Sequence, residues 1–233
     1  MDNNKEKDLW DLVNKLTISN IESQEKKKEF NLGLHCSASL QFDIKHLMIN
    51  LSRYKFISKL FRFEENYSIL ELGCSEGIGS FFFTQSKNCK FYKGIDSDEK
   101  AINWAKNNLL NEKVEFVEDN FLNHNYGKFD VVISIDVIEH INKEIEDQYL
   151  NTIYNNLDNN GTAIIGTPNI MINPYASEAS RIAHINLFSQ ERLYKLCKSK
   201  FNNVFIFNMN DEIIHTGMDQ MSCYIFAVCT NKK

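Results

Sequence analysis

Proline and glycine are scarce in this sequence of 233 residues, which contains only 2 prolines and 9 glycines. This scarcity excludes collagen-like, proline-rich and linker-dominated architectures. No apolar run approaches the roughly 20 residues that a transmembrane helix requires. The hydrophobic content of 43% and the aromatic content of 12% are nevertheless high enough for a sizeable core, so a globular fold is expected.

Disulfide and zinc patterns are also missing, because the six scattered cysteines form no C-x-x-C pair and no Cys/His ligand spacing. Reduced thiols and a cytoplasmic location are therefore expected, and the polar residues 1–8 do not resemble a signal peptide. The net charge is −5, and the longest basic run covers only residues 26–28. This balance argues against a nucleic-acid partner.

Short β-rich runs alternate with helical patterns from Ser68 onward, which predicts an α/β fold with a doubly wound, mostly parallel sheet. The alternation yields seven strands with helices on both faces. The last two strands, residues 204–208 and 222–228, have only a polar connection between them. They are expected to pair as a hairpin, so the final strand should run antiparallel to a Rossmann-like sheet.

Two amphipathic helices are predicted before the alternating region. In the first, Leu9, Leu12, Val13 and Leu16 share one face at helical spacing, and residues 22–29 are a polar linker. The second covers approximately residues 44–61. Both are expected to pack against the sheet, which divides the chain into a helical N-terminal cover, residues 1–60, and a main domain, residues 61–233.

A glycine-rich loop follows the first strand directly and opens a helix; residues 71–79 read ELGCSEGIG. Glycines there allow a sharp turn and close approach of a ligand to the backbone. Ser75 replaces the middle glycine of the G-x-G-x-x-G pattern, which argues against a dinucleotide pyrophosphate. Glu71 at the strand end suits a cationic or amino-bearing ligand better than a diphosphate.

Acidic residues also stand at the ends of the next two strands. Asp96 lies about 20 residues beyond the glycine loop, a position from which a carboxylate accepts both hydroxyls of a ribose. Asp119 ends the third strand and is expected to accept from an adenine amino group, with Phe121 near the ring face. Because open α/β sheets bind ligands at the carboxyl ends of their strands, these acids predict a nucleoside site.

With these motifs the sequence resembles the class I S-adenosylmethionine-dependent methyltransferases from approximately residue 60 to the C-terminus. The resemblance implies S-adenosylmethionine as cofactor, with the glycine loop along its methionine part, Asp96 at the ribose and residues 119–121 at the adenine. Arg53 lies in an R-Y segment and is implied to pair with the methionine carboxylate. The cofactor residues predicted on this basis are Arg53, Glu71, Gly73, Ser75, Gly77, Asp96, Asp119, Asn120, Phe121 and Asp136.

Candidate catalytic residues follow the fourth strand, where residues 135–141 read IDVIEHI. This stretch resembles an E-H-I/L segment common in the family, including quinone-pathway O-methyltransferases. His140 is predicted to be a general base, because an ordinary histidine pKa near 6.5 suits neutral pH. His184, in the H-x-x-x-F-S segment of a long loop at residues 167–188, is the second candidate. Both histidines also fit a purely structural, hydrogen-bonded role.

A divalent metal site is a weaker hypothesis. In some relatives, including small-RNA 2′-O-methyltransferases, an E-x-x-E-H segment and a later histidine bind a cation. Asp136, Glu139, His140 and His184 match this pattern, with aspartate in place of the first glutamate. Two carboxylates and two imidazoles suit manganese, iron or zinc better than magnesium. The shortened first ligand argues against the site, so no metal is assigned.

The resemblance favours methyl transfer to a small polar acceptor, most simply a hydroxyl of a sugar, a nucleotide sugar or another cell-surface polysaccharide precursor. Methylation of an amine or a phosphoramidate-like group stays open. Three alternatives are a nucleic-acid 2′-O-methyltransferase, an NAD(P)-binding oxidoreductase, disfavoured by Ser75 and the final hairpin, and a non-catalytic module that only binds the cofactor. A monomer and a homodimer are both compatible with the sequence.

Overall fold

The computed structural model describes residues 8, 11–16, 19, 32–61 and 64–233. The chain divides into two compact units, Met1–Leu32 and Gly33–Lys233. In the first unit residues 8, 11–16 and 19 are helical, and Leu12, Val13 and Leu16 are exposed. Leu9 and the predicted linker at residues 22–29 lie outside the described residues.

An eight-stranded sheet forms the centre of the second unit, in the order β3-β2-β1-β4-β5-β8-β6-β7. Neighbouring strands from β3 to β5 are parallel, whereas β8 runs antiparallel to both β5 and β6. This order confirms the predicted doubly wound sheet with an antiparallel last strand. The strands are β1 Tyr67–Leu72, β2 Cys89–Asp96, β3 Val114–Glu118, β4 Phe129–Ile135, β5 Leu157–Pro168, β6 Phe201–Asn210, β7 Ile213–His215 and β8 Tyr224–Lys232.

The eighth strand is an addition to the seven that the sequence predicts. It is β7, which has only three residues and pairs antiparallel with the end of β6. The prediction had a polar connection there, because a three-residue strand is too short to show an alternating pattern.

Helices cover both faces of the sheet. They are α1 Leu34–Phe42, α2 Ile44–Leu60, α3 Ser80–Thr84, α4 Glu99–Leu109, α5 Glu146–Asn156, α6 Glu178–Ala183 and α7 Gln190–Lys198. Because side chains alternate along a strand, neighbours in β1 enter different cores: Ile69 packs with α2 and α4, and Leu70 packs with α5 and α7. In the described part of the chain, no helix is long and apolar enough to cross a membrane.

Helix α2 belongs to the same compact unit as the sheet. Its residues Tyr54 and Ile57 are buried in one of the two cores, together with Phe61 directly after the helix. The division after residue 32 therefore differs from the predicted boundary at residue 60, because these apolar side chains make α2 part of the main core.

The long connection after β5 has more local structure than predicted. It contains a 3-10 helix at Ile170–Tyr175 and helix α6. An isolated bridge between Asn169 and Phe188 closes its base, with the Ile170 N–H donating to the Phe188 carbonyl at 2.8 Å. The segment is therefore a loop whose two ends are joined by this bridge, beside the carboxyl ends of the strands.

Candidate cofactor and active site

A cavity of about 610 Å³ opens at the carboxyl ends of β1, β2 and β4. This volume lies in the range of roughly 300–1,000 Å³ that is usual for small-molecule sites. The loops after β1 to β4 form one side of the cavity, and α1 and α2 form the other. Seven of the predicted site residues line it: Gly73, Ser75, Asp96, Asn120, Phe121, Asp136 and His140.

The glycine loop lines the cavity with its backbone in left-handed conformations. The φ angles of Gly73, Ser75 and Gly77 are 81°, 47° and 72°. A Cβ on Gly73 or Gly77 would come within 2.2 or 2.3 Å of a neighbouring side chain, so both positions require glycine. Ser75 keeps its conformation because its N–H donates to Asp96 Oδ2 at 2.7 Å. The loop therefore retains a left-handed turn without the middle glycine.

Asp96 joins this loop to the one after β2. Its Oδ2 accepts from Ser75, and its Oδ1 accepts from the Asp98 N–H at 2.9 Å. The carboxylate faces the cavity at the place predicted for a ribose. Each oxygen has a further lone pair for a hydroxyl, so the geometry is compatible with that role, which stays a prediction.

The loop after β3 separates into two parts. Residues 120–122 line the cavity, and contact of Asn120 and Phe121 with an adenine stays a prediction. Asp119 is not among the lining residues, because its Oδ2 accepts from the Tyr126 hydroxyl at 2.7 Å and lies 2.6 Å from His124 Nδ1. The Asp119 carboxylate therefore stabilises its own loop, and an adenine would meet the residues that follow it.

Glu71 lies behind the cavity wall and is fully buried. Its Oε1 accepts from the Tyr54 hydroxyl at 2.7 Å, and its Oε2 accepts from the Tyr92 hydroxyl. Burial raises the pKa of Glu71 to about 7, although the two tyrosine hydrogen bonds act in the opposite direction. Glu71 is thus placed to act on the site through Tyr54, which lines the cavity, rather than by the direct contact predicted for it.

Arg53 reaches the edge of the site from α2, with only 8% of its side chain exposed. Its guanidinium pairs with Asp136 and lies 3.8 Å from the centre of the Tyr224 ring. The Tyr224 hydroxyl accepts from the Asp136 N–H at 3.2 Å. Arg53 therefore orients Asp136, which lines the cavity, and does not itself line it as predicted for a methionine-carboxylate partner.

Glu139, His140 and His184 form a cluster whose donor atoms all lie within 4.8 Å of one another. The two imidazole rings are 5.0 Å apart, centre to centre. Glu139 is fully buried, and its Oε2 accepts from the Thr167 hydroxyl at 2.9 Å. Among the described residues its Oε1 has no hydrogen-bond partner. The fourth predicted member of the set, Asp136, is paired with Arg53 and lies outside the cluster.

The protonation of this cluster follows from its burial. Burial first, and the nearby Asp136 second, raise the pKa of Glu139 to about 8. Burial and the neighbouring His140 lower the pKa of His184. A proton or a cation would each satisfy the buried, unpartnered Oε1, so the three side chains fit a divalent metal as well as a protonated carboxyl group.

Sequence patterns do not predict three features that build the site: helix α1, Glu76 and Tyr224. Helix α1 has no apolar face, so periodicity does not reveal it, yet it lines one side of the cavity. Glu76 is inside the glycine loop and is almost fully buried. Tyr224 is part of a buried strand and reads as an ordinary core residue. The aromatic and acidic composition alone gives no signal for these roles.

Comparison with known families gives a match over most of the chain. The family model described as "Methyltransferase domain" matches residues 45–201. An uncharacterized protein of Rickettsia prowazekii (strain Madrid E) is 28% identical over 106 residues, which is 43% of this chain. The match spans 42% of the length of that relative.

Several solved structures share the fold. The methyltransferase domain of bacterial CtHen1-C has a TM-score of 0.66 at 17% identity, covering 78% of this chain and 98% of its own. The N-methyltransferase NodS from Bradyrhizobium japonicum WM9 in complex with S-adenosyl-L-homocysteine has a TM-score of 0.60 at 14% identity, covering 78% and 87%. A Haloferax volcanii complex of the Trm112 methyltransferase activator with a putative methyltransferase has a TM-score of 0.65 at 13% identity, covering 87% and 100%.

Glu71→Gln should alter the pH dependence of stability. An unfolded glutamate ionises near its ordinary pKa of 4.5, whereas the buried group ionises only near 7, so the folded state binds the extra proton between these values. The free energy of unfolding of the unmodified protein should therefore fall with rising pH by roughly 3 kcal/mol more than that of the variant. Urea denaturation at about pH 5 and about pH 8 measures this difference.

The exposed Glu112→Gln is the matched control, and it should leave this pH dependence as it is in the unmodified protein. Identical slopes for the Glu71 variant and the unmodified protein would contradict the assignment of a buried, partly protonated Glu71.

Proposed function

Because the chain belongs to the methyltransferase domain family and is a class I S-adenosylmethionine-dependent methyltransferase, we propose that it methylates a hydroxyl of a small polar acceptor. The proposed acceptor is a sugar, a nucleotide sugar or a related precursor of cell-surface polysaccharide. A nitrogen of an amine or a phosphoramidate-like group is a variant of the same transfer. Membership of this family excludes the alternative of an NAD(P)-binding oxidoreductase.

The cavity fits the cofactor in its shape and in its polar groups. Val137 and Phe116 leave no room for a side chain at Gly73 and Gly77, which keeps the loop in its left-handed turn, and Gly73 lines the cavity with bare backbone. Asp96 faces the cavity with free lone pairs, and residues 120–122 supply an apolar and amide-bearing wall. When bound, S-adenosylmethionine supplies an electrophilic methyl group on a sulfonium, and the acceptor displaces a neutral thioether.

The observation that carries the proposal is the placement of His140. Its Nδ1 lies 3.0 Å from the Ala183 carbonyl oxygen, which can only accept, so Nδ1 carries the ring proton. The neutral imidazole then has an unshared electron pair on Nε2. His140 also lines the cavity, which supports the role that we propose for Nε2, removal of the hydroxyl proton as the oxygen–methyl bond forms.

His184 lies behind His140 on the neighbouring segment, with the two rings 5.0 Å apart. The Glu139 carbonyl accepts from the Asn186 N–H at 3.0 Å, which fixes the chain after α6 against the turn that carries His140. The lowered pKa of His184 keeps its imidazole neutral near neutral pH, so it adds no positive charge beside His140. We assign His140 as the base; His184 lies beside its ring but outside the residues that line the cavity, and it is the second candidate for this role.

Asp96→Ala should weaken the binding of S-adenosylhomocysteine by about 10- to 100-fold. The carboxylate accepts from the backbone of two loops and faces the predicted ribose, and hydrogen bonds to a charged group contribute more than neutral ones. Isothermal titration calorimetry measures the affinity, with the exposed Asp158→Ala as control. An unchanged affinity in Asp96→Ala would place the cofactor elsewhere.

His140→Asn should lower turnover by about 10²- to 10⁴-fold, because the base is lost while the cavity is preserved. The formation of S-adenosylhomocysteine with a panel of sugars and nucleotide sugars measures turnover, and calorimetry checks that cofactor affinity persists. The exposed His46→Asn is the matched control. An unchanged rate in both His140→Asn and His184→Asn would leave alignment of the reactants as the whole mechanism.

A second candidate function, metal-assisted methylation of a nucleic-acid 2′-hydroxyl, is favoured by the unpartnered Glu139 Oε1 beside the two histidines. Glu139, His140 and His184 would hold the ion. A bound divalent cation would act as a Lewis acid that lowers the pKa of the acceptor hydroxyl. The net charge of −5 argues against a nucleic-acid acceptor, so this function ranks second.

Manganese binding separates the two candidates without an acceptor. Under the leading proposal His140 Nε2 stays free, so Mn²⁺ added to the S-adenosylhomocysteine complex should remain unbound at micromolar concentration, as measured by electron paramagnetic resonance. Micromolar binding that disappears in both Glu139→Gln and His184→Ala would favour the second candidate. The exposed His46→Asn should not change either result.

A further inference from the structure

Helix α1 covers one side of the cofactor cavity without contributing to the core. Three of its residues, His35, Cys36 and Ser39, line the cavity. No residue of the helix is buried, and Leu34 and Phe42 at its two ends are exposed. Because hydrophobic burial does not hold this helix in place, specific polar contacts must account for its position.

Glu76 supplies the main polar contact. It lies within the glycine loop, and only 3% of its surface is exposed. Its Oε1 accepts from the His35 N–H at 2.7 Å, and its Oε2 accepts from the Cys36 N–H at 3.1 Å. The first N–H groups of a helix have no partner within the helix, and an acid there also interacts favourably with the helix dipole. One carboxylate therefore joins the helix over the cavity to the loop under it.

Two further features support this arrangement. His35 Nε2 lies 3.4 Å from Asp98 Oδ2, so the first turn of α1 also meets the loop after β2. Gly33 precedes the helix, and a Cβ there would lie only 2.2 Å from Glu76 Cδ. A side chain at residue 33 is thus incompatible with the observed position of the carboxylate.

We propose that Glu76 is a positioning residue that keeps α1 closed over the cavity and thereby limits the release of S-adenosylhomocysteine. The loop and the helix enclose the cofactor from opposite sides, and the Glu76 carboxylate is the bond between them. We expect release of the cofactor to follow movement of the helix away from the loop, which requires both hydrogen bonds to break. This inference depends on the cofactor site and not on the identity of the acceptor.

The test measures release of the product directly. Stopped-flow displacement of S-adenosylhomocysteine by excess S-adenosylmethionine should be at least about 10-fold faster in Glu76→Ala, because two charge-assisted hydrogen bonds are lost. The association rate should change less. Glu76→Gln retains one acceptor oxygen, so its release rate should lie between those of the unmodified protein and Glu76→Ala. Hydrogen exchange at the His35 and Cys36 amides should accelerate in the same order.

A double-mutant cycle separates this role from a general weakening of the loop. Gly33→Ala alone should also accelerate release, because the new Cβ displaces the carboxylate. In the Glu76→Ala background the same change should have little further effect, since the steric conflict has been removed. Additive effects of the two substitutions would overturn the proposal.

The exposed Glu112→Ala controls for the loss of an acidic side chain and should leave release unchanged. An unchanged release rate in Glu76→Ala, or a loss of affinity that comes only from slower association, would overturn the role assigned to Glu76. Should Glu76→Ala fail to fold, Glu76→Gln and Gly33→Ala test the same bond. Failure of the acceptor assignment would affect none of these measurements.

Discussion

A carboxylate that leaves water needs hydrogen-bond donors or a proton, and this requirement acts repeatedly along the edge of the sheet where the cavity opens. Five acidic side chains lie there, and each has a donor from a different part of the chain. The donors are the Tyr54 and Tyr92 hydroxyls for Glu71, the first amides of α1 for Glu76, the Ser75 and Asp98 amides for Asp96, the guanidinium of Arg53 for Asp136 and the Thr167 hydroxyl for Glu139. Satisfying these acids brings α1, α2 and the strand-end loops together around one space.

The same requirement reduces the negative charge that several of these acids carry or leave uncompensated. Burial raises the pKa of Glu71 to about 7 and that of Glu139 to about 8, so at neutral pH much of this charge is replaced by protons. The Asp136 side chain is 37% exposed, and the positive charge of Arg53 compensates its negative charge. The negative field in the cavity is therefore weaker than the number of acids suggests. Geometry, more than net charge, must supply the cofactor selectivity.

The sequence predicts those features of the protein that follow from the course of the backbone. Alternation of strands and helices, the glycine loop and the strand-end position of Asp96 all follow from local patterns, and each lies where predicted. Side-chain directions were less predictable, because an acid at a strand end can point either into a cavity or into a core. Glu71 meets two tyrosines from distant elements, and Arg53 meets Asp136 from β4 rather than the cavity. Helix α1 escaped prediction because polar contacts, and not an apolar face, hold it.

Methyl transfer removes the positive charge from the cofactor but leaves nearly all of its surface unchanged. A strongly acidic cavity would hold the charged substrate and expel the neutral product. Here burial raises the pKa of Glu71 and Glu139, and Arg53 is paired with Asp136, so loss of the cofactor charge provides a smaller force for release than the number of acids suggests. An opening of the enclosure, as proposed for α1, would then be the route of release. Under that proposal the carboxylate that caps α1 governs exchange of the cofactor more than an acid facing the sulfonium would.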